Sequence, residues 1–188
     1  MLTAEYLSAA IRELDLAGRS VCLHSSLRSV GPVTGGADAV IDAFAACACT
    51  LLVPTFSYMF CVPPPPALRP ARNGYDYADA GNFQISARPP YRAEGNTVSS
   101  REMGAIPTAL LQRPGRHRGA HPICSFAAIG PRARALIACQ TRMDVFGPLR
   151  AVAREGGAVL LMGVPLTRMT LVHAAEERAG RRPFLRWA

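Results

Sequence analysis

His121 is the first residue whose type could do chemistry. It precedes Pro122 at the entrance of an apolar segment. Imidazole exchanges protons near neutral pH, so a histidine restrained by a following proline could act as a general base. A single histidine is nevertheless more often a structural hydrogen-bonding residue. From the residues alone, both interpretations of His121 stay open.

A second group of polar residues lies near the end of the chain, where His173 is followed by Glu176 and Glu177. Spacings of three and four residues place both carboxylates near the histidine on one helix. Either carboxylate could orient a base from elsewhere in the chain. The alternative is a solvated helix face with a local His–Glu pair, which we favour for Glu177. Asp144 is a further polar candidate that could equally be a turn residue.

Residues 24–31, with the sequence HSSLRSVG, place hydroxyls, backbone N–H groups and a glycine after a short apolar strand. In α/β sheets, ligands usually bind at this end of a strand. The Gly35–Gly36 pair then opens a helix whose free N–H groups could face a pyrophosphate. An ordinary glycine-rich turn fits as well, because neither the P-loop pattern nor GxGxxG is present. Ser25 or Ser26 could be a nucleophile, although no GxSxG motif occurs.

The sequence predicts no metal site, because HExxH, CxxC and paired HxH motifs are all missing. The nearest match is Cys47-x-Cys49, which lies between an apolar helix and an apolar strand. We interpret the six cysteines as reduced thiols in apolar surroundings.

The charge is strongly basic, with 21 arginines, no lysine and a net charge of +8. Such a field can attract phosphates or an acidic cofactor. The arginines are scattered, and no basic tract interleaved with aromatic residues occurs, so we predict no specific nucleic-acid binding. Charges within residues 1–19 argue against a secretory signal, and residues 37–54 are too short and too interrupted to cross a membrane. We therefore expect a cytoplasmic protein that does not enter a membrane.

The elements that must position these residues follow a β-loop-α-β order. Residues 20–23 and 50–53 are predicted strands, with a helix between them at 37–46 and another after Thr3. Further on we predict helices at 103–112, 131–138 and 170–179, and strands at 124–129 and 158–163. The pattern predicts a single α/β domain, residues 1–188, with a central mostly parallel or mixed sheet flanked by helices. Residues 54–96 are rich in proline and predict a long loop or flap that could be partly disordered.

Several segments together resemble one known family. They are HSSLRSVG at 24–31, GGADAVIDA at 35–43, LLVPTFSY at 51–58, SSREMGAIP at 99–107, RPG at 113–115, HPICSFAAIGPRA at 121–133, LLMGV at 160–164 and HAAEERAG at 173–180. In this order they resemble the aminoglycoside 3-N-acetyltransferases, which are antibiotic N-acetyltransferases. A collinear set of this kind is much more specific than any single motif.

The resemblance implies direct transfer of an acetyl group from acetyl-CoA to an amine, the 3-amino group of the 2-deoxystreptamine ring, which would confer antibiotic resistance. It also implies that the loop at 24–31 lines the pantetheine and acetyl end of the cofactor. The cofactor-binding residues implied are His24, Ser25, Ser26, Leu27, Val30, Gly31 and Ser100. Backbone N–H groups near this loop would stabilise the thioester oxyanion.

By the same resemblance, His121 is the general base and Glu176 orients or charge-balances it. Asp144, before a Phe-Gly-Pro turn, would belong to the same polar network. The acidic residues Asp76, Asp79 and Glu94 in the long loop are the predicted contacts for a cationic antibiotic.

Three departures from the family pattern leave alternatives open. Family chains typically continue past the point where this one stops, the turn after Phe146 is shortened, and only 13 acidic residues stand against 21 arginines. One alternative is a truncated, inactive relative that binds CoA or a protein partner. Another is an acetyltransferase for a different amine. An arginine-rich nucleic-acid binder is the third alternative, and a homodimer is a possible assembly.

Overall fold

The structure is a computed structural model that describes residues 1–69, 76–77, 89–181 and 187–188, and only the backbone of Ser100. Its centre is a five-stranded mixed sheet in the order β3-β4-β2-β1-β5. The strands are β1 (Ser20–Ser25), β2 (Thr50–Pro54), β3 (His117–Arg118), β4 (Phe126–Ile129) and β5 (Ala158–Met162). Strand β1 pairs in parallel with β2 and β5, whereas β4 is antiparallel to β2 and β3. The predicted fold class, a sheet flanked by helices, is confirmed.

Helices follow most of the strands. They are α1 (Ala4–Glu13), α2 (Leu27–Val30), α3 (Gly36–Ala46), α4 (Ser100–Met103), α5 (Ala105–Leu110), α6 (Ala133–Ala138), α7 (Gly147–Arg154) and α8 (Leu171–Arg178). The predicted cap of the first helix is present, since Tyr6 N–H donates to Thr3 Oγ1 over 3.2 Å. The cap satisfies a backbone donor that the first helical turn would otherwise leave unpaired.

Alternate residues of the central strands pack on opposite faces of the sheet, as the two-residue period of a strand requires. Val21 and Leu23 of β1 belong to an apolar cluster with α1, α3 and α5. Cys22, between them, belongs to a second cluster with α6 and α7. Because helices cover both faces, β1 and β2 are buried along their length and read as continuous apolar runs.

Two predicted elements differ from the observed ones. The helix expected at 103–112 is two short helices, α4 and α5, separated by Gly104 with a φ of 87°. Only glycine adopts this backbone readily, so the helix breaks there. The strand expected at 124–129 begins two residues later, because the backbone N–H groups of Ile123 and Cys124 donate to the His121 ring instead of to a neighbouring strand.

The expected long loop at 54–96 falls only partly on described residues. Two turns of 3₁₀-helix occur there, Tyr58–Phe60 and Pro66–Leu68. The expectation of disorder concerns, among others, residues 70–75 and 78–88, which lie outside the described residues. Within the described chain, no helix is long and apolar enough to cross a membrane.

Candidate active site

The loops that carry the candidate residues meet at one edge of the sheet. Strands β1, β2 and β5 are parallel, so their carboxyl ends share this edge. Strand β4 is antiparallel, and its first residue, Phe126, pairs with the last residue of β2, Pro54. The segment before β4, which contains His121, therefore lies at the same edge as the loop after β1.

A cavity of about 1090 Å³ opens at this edge, and His121 lines it. Its volume is that of a small-molecule site. Many lining side chains are aromatic, namely Phe56, Tyr58, Phe60, Tyr91, Phe146 and Trp187. The charged or titratable lining residues are Arg92, Glu94, His121, Arg142, His173 and Glu177. The cavity thus combines flat apolar surfaces with a few polar groups.

The ring of His121 is held by the backbone that follows it. Its Nδ1 accepts the N–H groups of Ile123 (3.2 Å) and Cys124 (2.9 Å). Since Nδ1 accepts, the neutral ring carries its hydrogen on Nε2. Burial lowers the pKa of His121, which favours the neutral form near neutral pH. The cavity therefore contains an uncharged imidazole.

The segment around His121 is fixed to the end of β2 by side-chain and backbone hydrogen bonds. Ser57 Oγ donates to the carbonyl of Pro122 over 2.8 Å, and Thr55 N–H donates to the carbonyl of Ser125 over 2.9 Å. Ser125 Oγ in turn donates to the carbonyl of Thr55. Because these bonds are buried, they fix the position of His121 relative to the sheet.

Two arginines hold the segment 91–97, of which residues 91–94 line the cavity. Arg118 donates to the carbonyls of Gly95 and Thr97, and Arg116 donates to the carbonyls of Ala93, Glu94 and Gly95. Arg118 is only 6% exposed, and its guanidinium lies 5.0 Å from the centre of the Tyr91 ring. Burial lowers the pKa of Arg118, but a guanidinium stays protonated.

The acidic residues of α8 bind neighbouring side chains. Glu176 Oε2 is 3.0 Å from His173 Nδ1 on the same helix, and the described contacts include no hydrogen bond or ion pair between Glu176 and His121. Glu177, for which we favour a solvated helix face, is exposed; it also lines the cavity and lies 2.9 Å from Arg150 Nη1.

Asp144 does not line the cavity. It forms a short ion pair with Arg150, which also binds Glu177. The hydrogen bond to Asp144 is the main cause that raises the pKa of Arg150. Asp144 thus contributes to the wall through Arg150, and it has no described contact with His121.

The loop after β1 forms a second surface beside the cavity. His24 is buried in β1, with Nε2 3.8 Å from Cys22 Sγ. Ser26 caps α2 and donates its N–H to the carbonyl of Met162 in β5. The residues predicted to bind cofactor, Ser25, Ser26, Leu27, Val30 and Gly31, are partly accessible and do not line the cavity.

The predicted Ser100 lies close to this loop through its helix. Gly104, which follows α4, approaches so closely that a Cβ there would be 3.9 Å from the carbonyl oxygen of Ser25. On the other side, a Cβ at Gly163 would be 2.9 Å from the carbonyl oxygen of Ser26. The structure therefore brings α4 and the loop together, although the side chain of Ser100 is outside the described part.

Of the acidic residues predicted to contact the acceptor, Glu94 lines the cavity. Asp76 does not line it, and Asp79 lies outside the described residues. Tyr91, Arg92 and Arg142 are lining residues that the sequence analysis did not single out. They carry no local motif, and only the tertiary fold brings them together. In the described chain, no group of three or more histidine, cysteine or acidic residues could hold a metal ion.

Known proteins resemble this chain in sequence and in fold. Aminoglycoside N(3)-acetyltransferase VIII of Streptomyces fradiae is 35% identical over 183 residues, a match that covers 90% of this chain and 59% of that protein. The crystal structure of aminoglycoside acetyltransferase AAC(3)-Xa superposes with a TM-score of 0.75 at 31% identity, covering 93% of this chain and 61% of that one. A structure of AAC-IIIb, described as a binary complex with CoASH, has a TM-score of 0.71 at 26% identity, covering 93% and 64%.

This chain thus spans about three fifths of the length of the relatives that it matches. A family profile described as Aminoglycoside 3-N-acetyltransferase matches residues 22–187, nearly the whole sequence. By this match and by its fold, the chain belongs to the aminoglycoside 3-N-acetyltransferase family.

Proposed function

We propose that this chain is an acetyl-CoA-dependent N-acetyltransferase that acetylates the 3-amino group of the 2-deoxystreptamine ring of an aminoglycoside and so confers resistance. The observation that carries the proposal is the position of His121, a neutral imidazole in the wall of a cavity of about 1090 Å³. Family membership and the relatives named as aminoglycoside acetyltransferases support the acceptor class.

The loop at 24–31 is the proposed surface for the cofactor. Its residues are accessible from Ser25 to Gly31, and they lie between α4 and the end of β5. The hydroxyls of Ser26 and Ser29 lie 3.0 Å apart and can bond to the amides of a pantetheine chain. The exposed Arg28 adds a positive charge suited to phosphates. The similar structure described as a binary complex with CoASH supports CoA as the class of ligand.

When bound, acetyl-CoA supplies a thioester whose carbon–sulfur bond breaks as the acceptor nitrogen forms a bond to the acetyl carbon. The acceptor must lose a proton in this step, and we propose that His121 takes it. Backbone N–H groups of the loop at 24–31 are the proposed donors to the developing oxyanion. We propose that Glu176, on α8, orients or charge-balances His121. Asp144 is proposed to act through its ion pair with Arg150.

The described geometry sets one condition for this role of His121. The lone pair of Nδ1 points at the N–H groups of Ile123 and Cys124, and Nε2 carries a hydrogen. A base must present a lone pair to the amine, so the ring must turn away from these donors when the acceptor binds. Without that rotation, His121 would be a hydrogen-bond donor, suited to holding a carbonyl oxygen.

Release of free thiol from acetyl-CoA, measured with a panel of aminoglycosides, tests the proposal. We expect thiol release that requires both an aminoglycoside and His121, with kcat reduced by about 10²- to 10⁴-fold in His121→Ala. His117→Ala, on the neighbouring strand β3, is the matched control and should keep its activity. Thiol release that is the same with and without His121 would exclude the proposed site.

A homodimer and a location in the cytoplasm, both expected from the sequence, remain predictions. Sedimentation of the purified chain and fractionation of cells that express it would test them.

A further inference from the structure

The charges around the cavity point to a preference among acceptors. Arg92 and Arg142 both line the cavity and are exposed, and neither has an ion-pair partner in the part of the chain that the structure describes. Glu177 lines the same cavity and shares Arg150 with Asp144, so that one guanidinium faces two carboxylates. Among the described lining residues, Glu94 is the carboxylate that forms no ion pair.

A third positive charge lies behind the wall. Arg118 is buried against Tyr91, a lining residue, with its guanidinium 5.0 Å from the ring centre. Its hydrogen bonds all go to neutral oxygens of Thr55, Ser125, Gly95 and Thr97. No described carboxylate neutralises it. Because Arg118 is buried, water screens its charge less than it would at the surface.

The remaining lining is largely aromatic and apolar, which suits the hydrocarbon faces of sugar rings better than their ammonium groups.

We infer that this cavity selects aminoglycosides that carry few ammonium groups, and that Arg92 and Arg142 set this preference. The inference rests on the proposed function for the acceptor class. Glu94 can pair with one ammonium group of the acceptor. Each additional ammonium group meets unpaired guanidinium groups, and for partly exposed charges this repulsion corresponds to about a threefold change in Kd.

Trp187 makes the inference testable without turnover. It is the only tryptophan of the chain and it lines the cavity, so its fluorescence reports binding of an acceptor. The experiment titrates aminoglycosides of similar size that differ in their number of amino groups, at low and at moderate salt. We expect Kd to rise about threefold with each added ammonium group. Because salt screens repulsion, the Kd of the most highly charged members should fall as salt is raised.

Charge-reversal variants identify the residues responsible. Arg92→Glu and Arg142→Glu should each shift the relative affinity at least threefold toward the highly charged aminoglycosides. Arg134→Glu is the matched control, because Arg134 is exposed on α6 and does not line the cavity. It should leave the order of affinities unchanged.

The two proposals fail in different ways. Affinity that rises with the number of ammonium groups and weakens with salt would overturn the inference, as would lining variants that behave like Arg134→Glu. Binding that follows the expected order without any release of thiol would overturn the proposed acetyl transfer and leave the charge preference standing.

Discussion

At the scale of single residues, His121 has two chemically distinct roles open to it. Its Nδ1 accepts two backbone N–H groups, so its Nε2 is a donor until the ring turns. A glutamine in its place could donate a hydrogen bond to a carbonyl oxygen, but it could not take a proton from an amine. The two roles therefore respond differently to the same substitution.

We predict that His121→Gln is as inactive as His121→Ala, because the step needs a base. The wild-type value of kcat/KM should fall as the pH drops, through a His121 pKa that burial holds below its ordinary value of about 6.5. Rates of thiol release between about pH 5 and 8 would measure both effects. A glutamine variant that keeps a tenth or more of the wild-type rate would show that His121 acts as a donor.

The pairing on α8 shows what residue spacing can and cannot predict. His173 and Glu176 lie three residues apart, and their predicted proximity is present at 3.0 Å. The spacing does not indicate which side of the helix faces the cavity. That depends on how α8 packs on α7, where Arg150 binds Glu177. The sequence therefore favoured Glu176 for the site, whereas the structure places Glu177 in the lining.

At the scale of elements, strand β3 carries Arg118, which donates hydrogen bonds to the segment 91–97. That segment is neither helix nor strand. We predict that Arg118→Met lowers the free energy of unfolding by about 2 kcal/mol, because buried oxygens of Thr55 and Ser125 each lose one of their hydrogen-bond partners. It should also weaken acceptor binding, since Thr97 loses its bond to Arg118 and Gly95 keeps only its bond to Arg116. Urea denaturation and titration of Trp187 fluorescence would measure the two effects.

Arg116→Met is the matched comparison for this prediction. Arg116 also binds the segment 91–97, but its bonds are partly exposed to water, and water can replace them. We expect it to lower the free energy of unfolding by less than Arg118→Met. Equal stability of Arg118→Met and the wild type would show that the free-energy cost of desolvating the guanidinium equals the stabilisation from its hydrogen bonds.

Local signals predicted most regular elements, and tertiary contacts explain the exceptions. Apolar runs located β1, β2 and β5, and Thr3 located the start of α1. The sequence analysis did not predict α2, α7 or β3. Helix α7 begins with Gly147 and Pro148, residues that also suit a turn, although proline is common in a first helical turn. Strand β3 has two residues, too few for a periodic pattern.

The cavity is the part of the molecule that the sequence predicted least. Proline-rich segments such as 54–69 have no periodicity that would indicate which side chains point inward. Phe60 and Tyr91 nevertheless meet edge to face, with ring centres 5.6 Å apart, and both line the cavity. Contacts between residues so far apart in sequence depend on the whole fold.

At the scale of the whole molecule, the burial of His24 links folding to pH. His24 is 6% exposed within the central strand β1, and burial lowers its pKa. The described titratable neighbour in contact with its ring is Cys22, 3.8 Å away. In the unfolded chain, a histidine titrates near its ordinary value of about 6.5. Between that value and the lower pKa of the fold, the unfolded state therefore binds more protons than the folded state.

We predict that stability contributed by neutral His24 is fully present above about pH 6.5 and is lost as the pH falls toward the folded pKa. One such group contributes a slope of at most about 1.4 kcal/mol per pH unit. The free energy of unfolding in urea at several pH values should therefore depend less steeply on pH in His24→Gln than in the wild type. His117→Gln, on β3, controls for the loss of a histidine elsewhere in the sheet. Equal slopes in the wild type and His24→Gln would mean that His24 has the same pKa in the folded and the unfolded state. The acid sensitivity of the protein would then have to come from other groups.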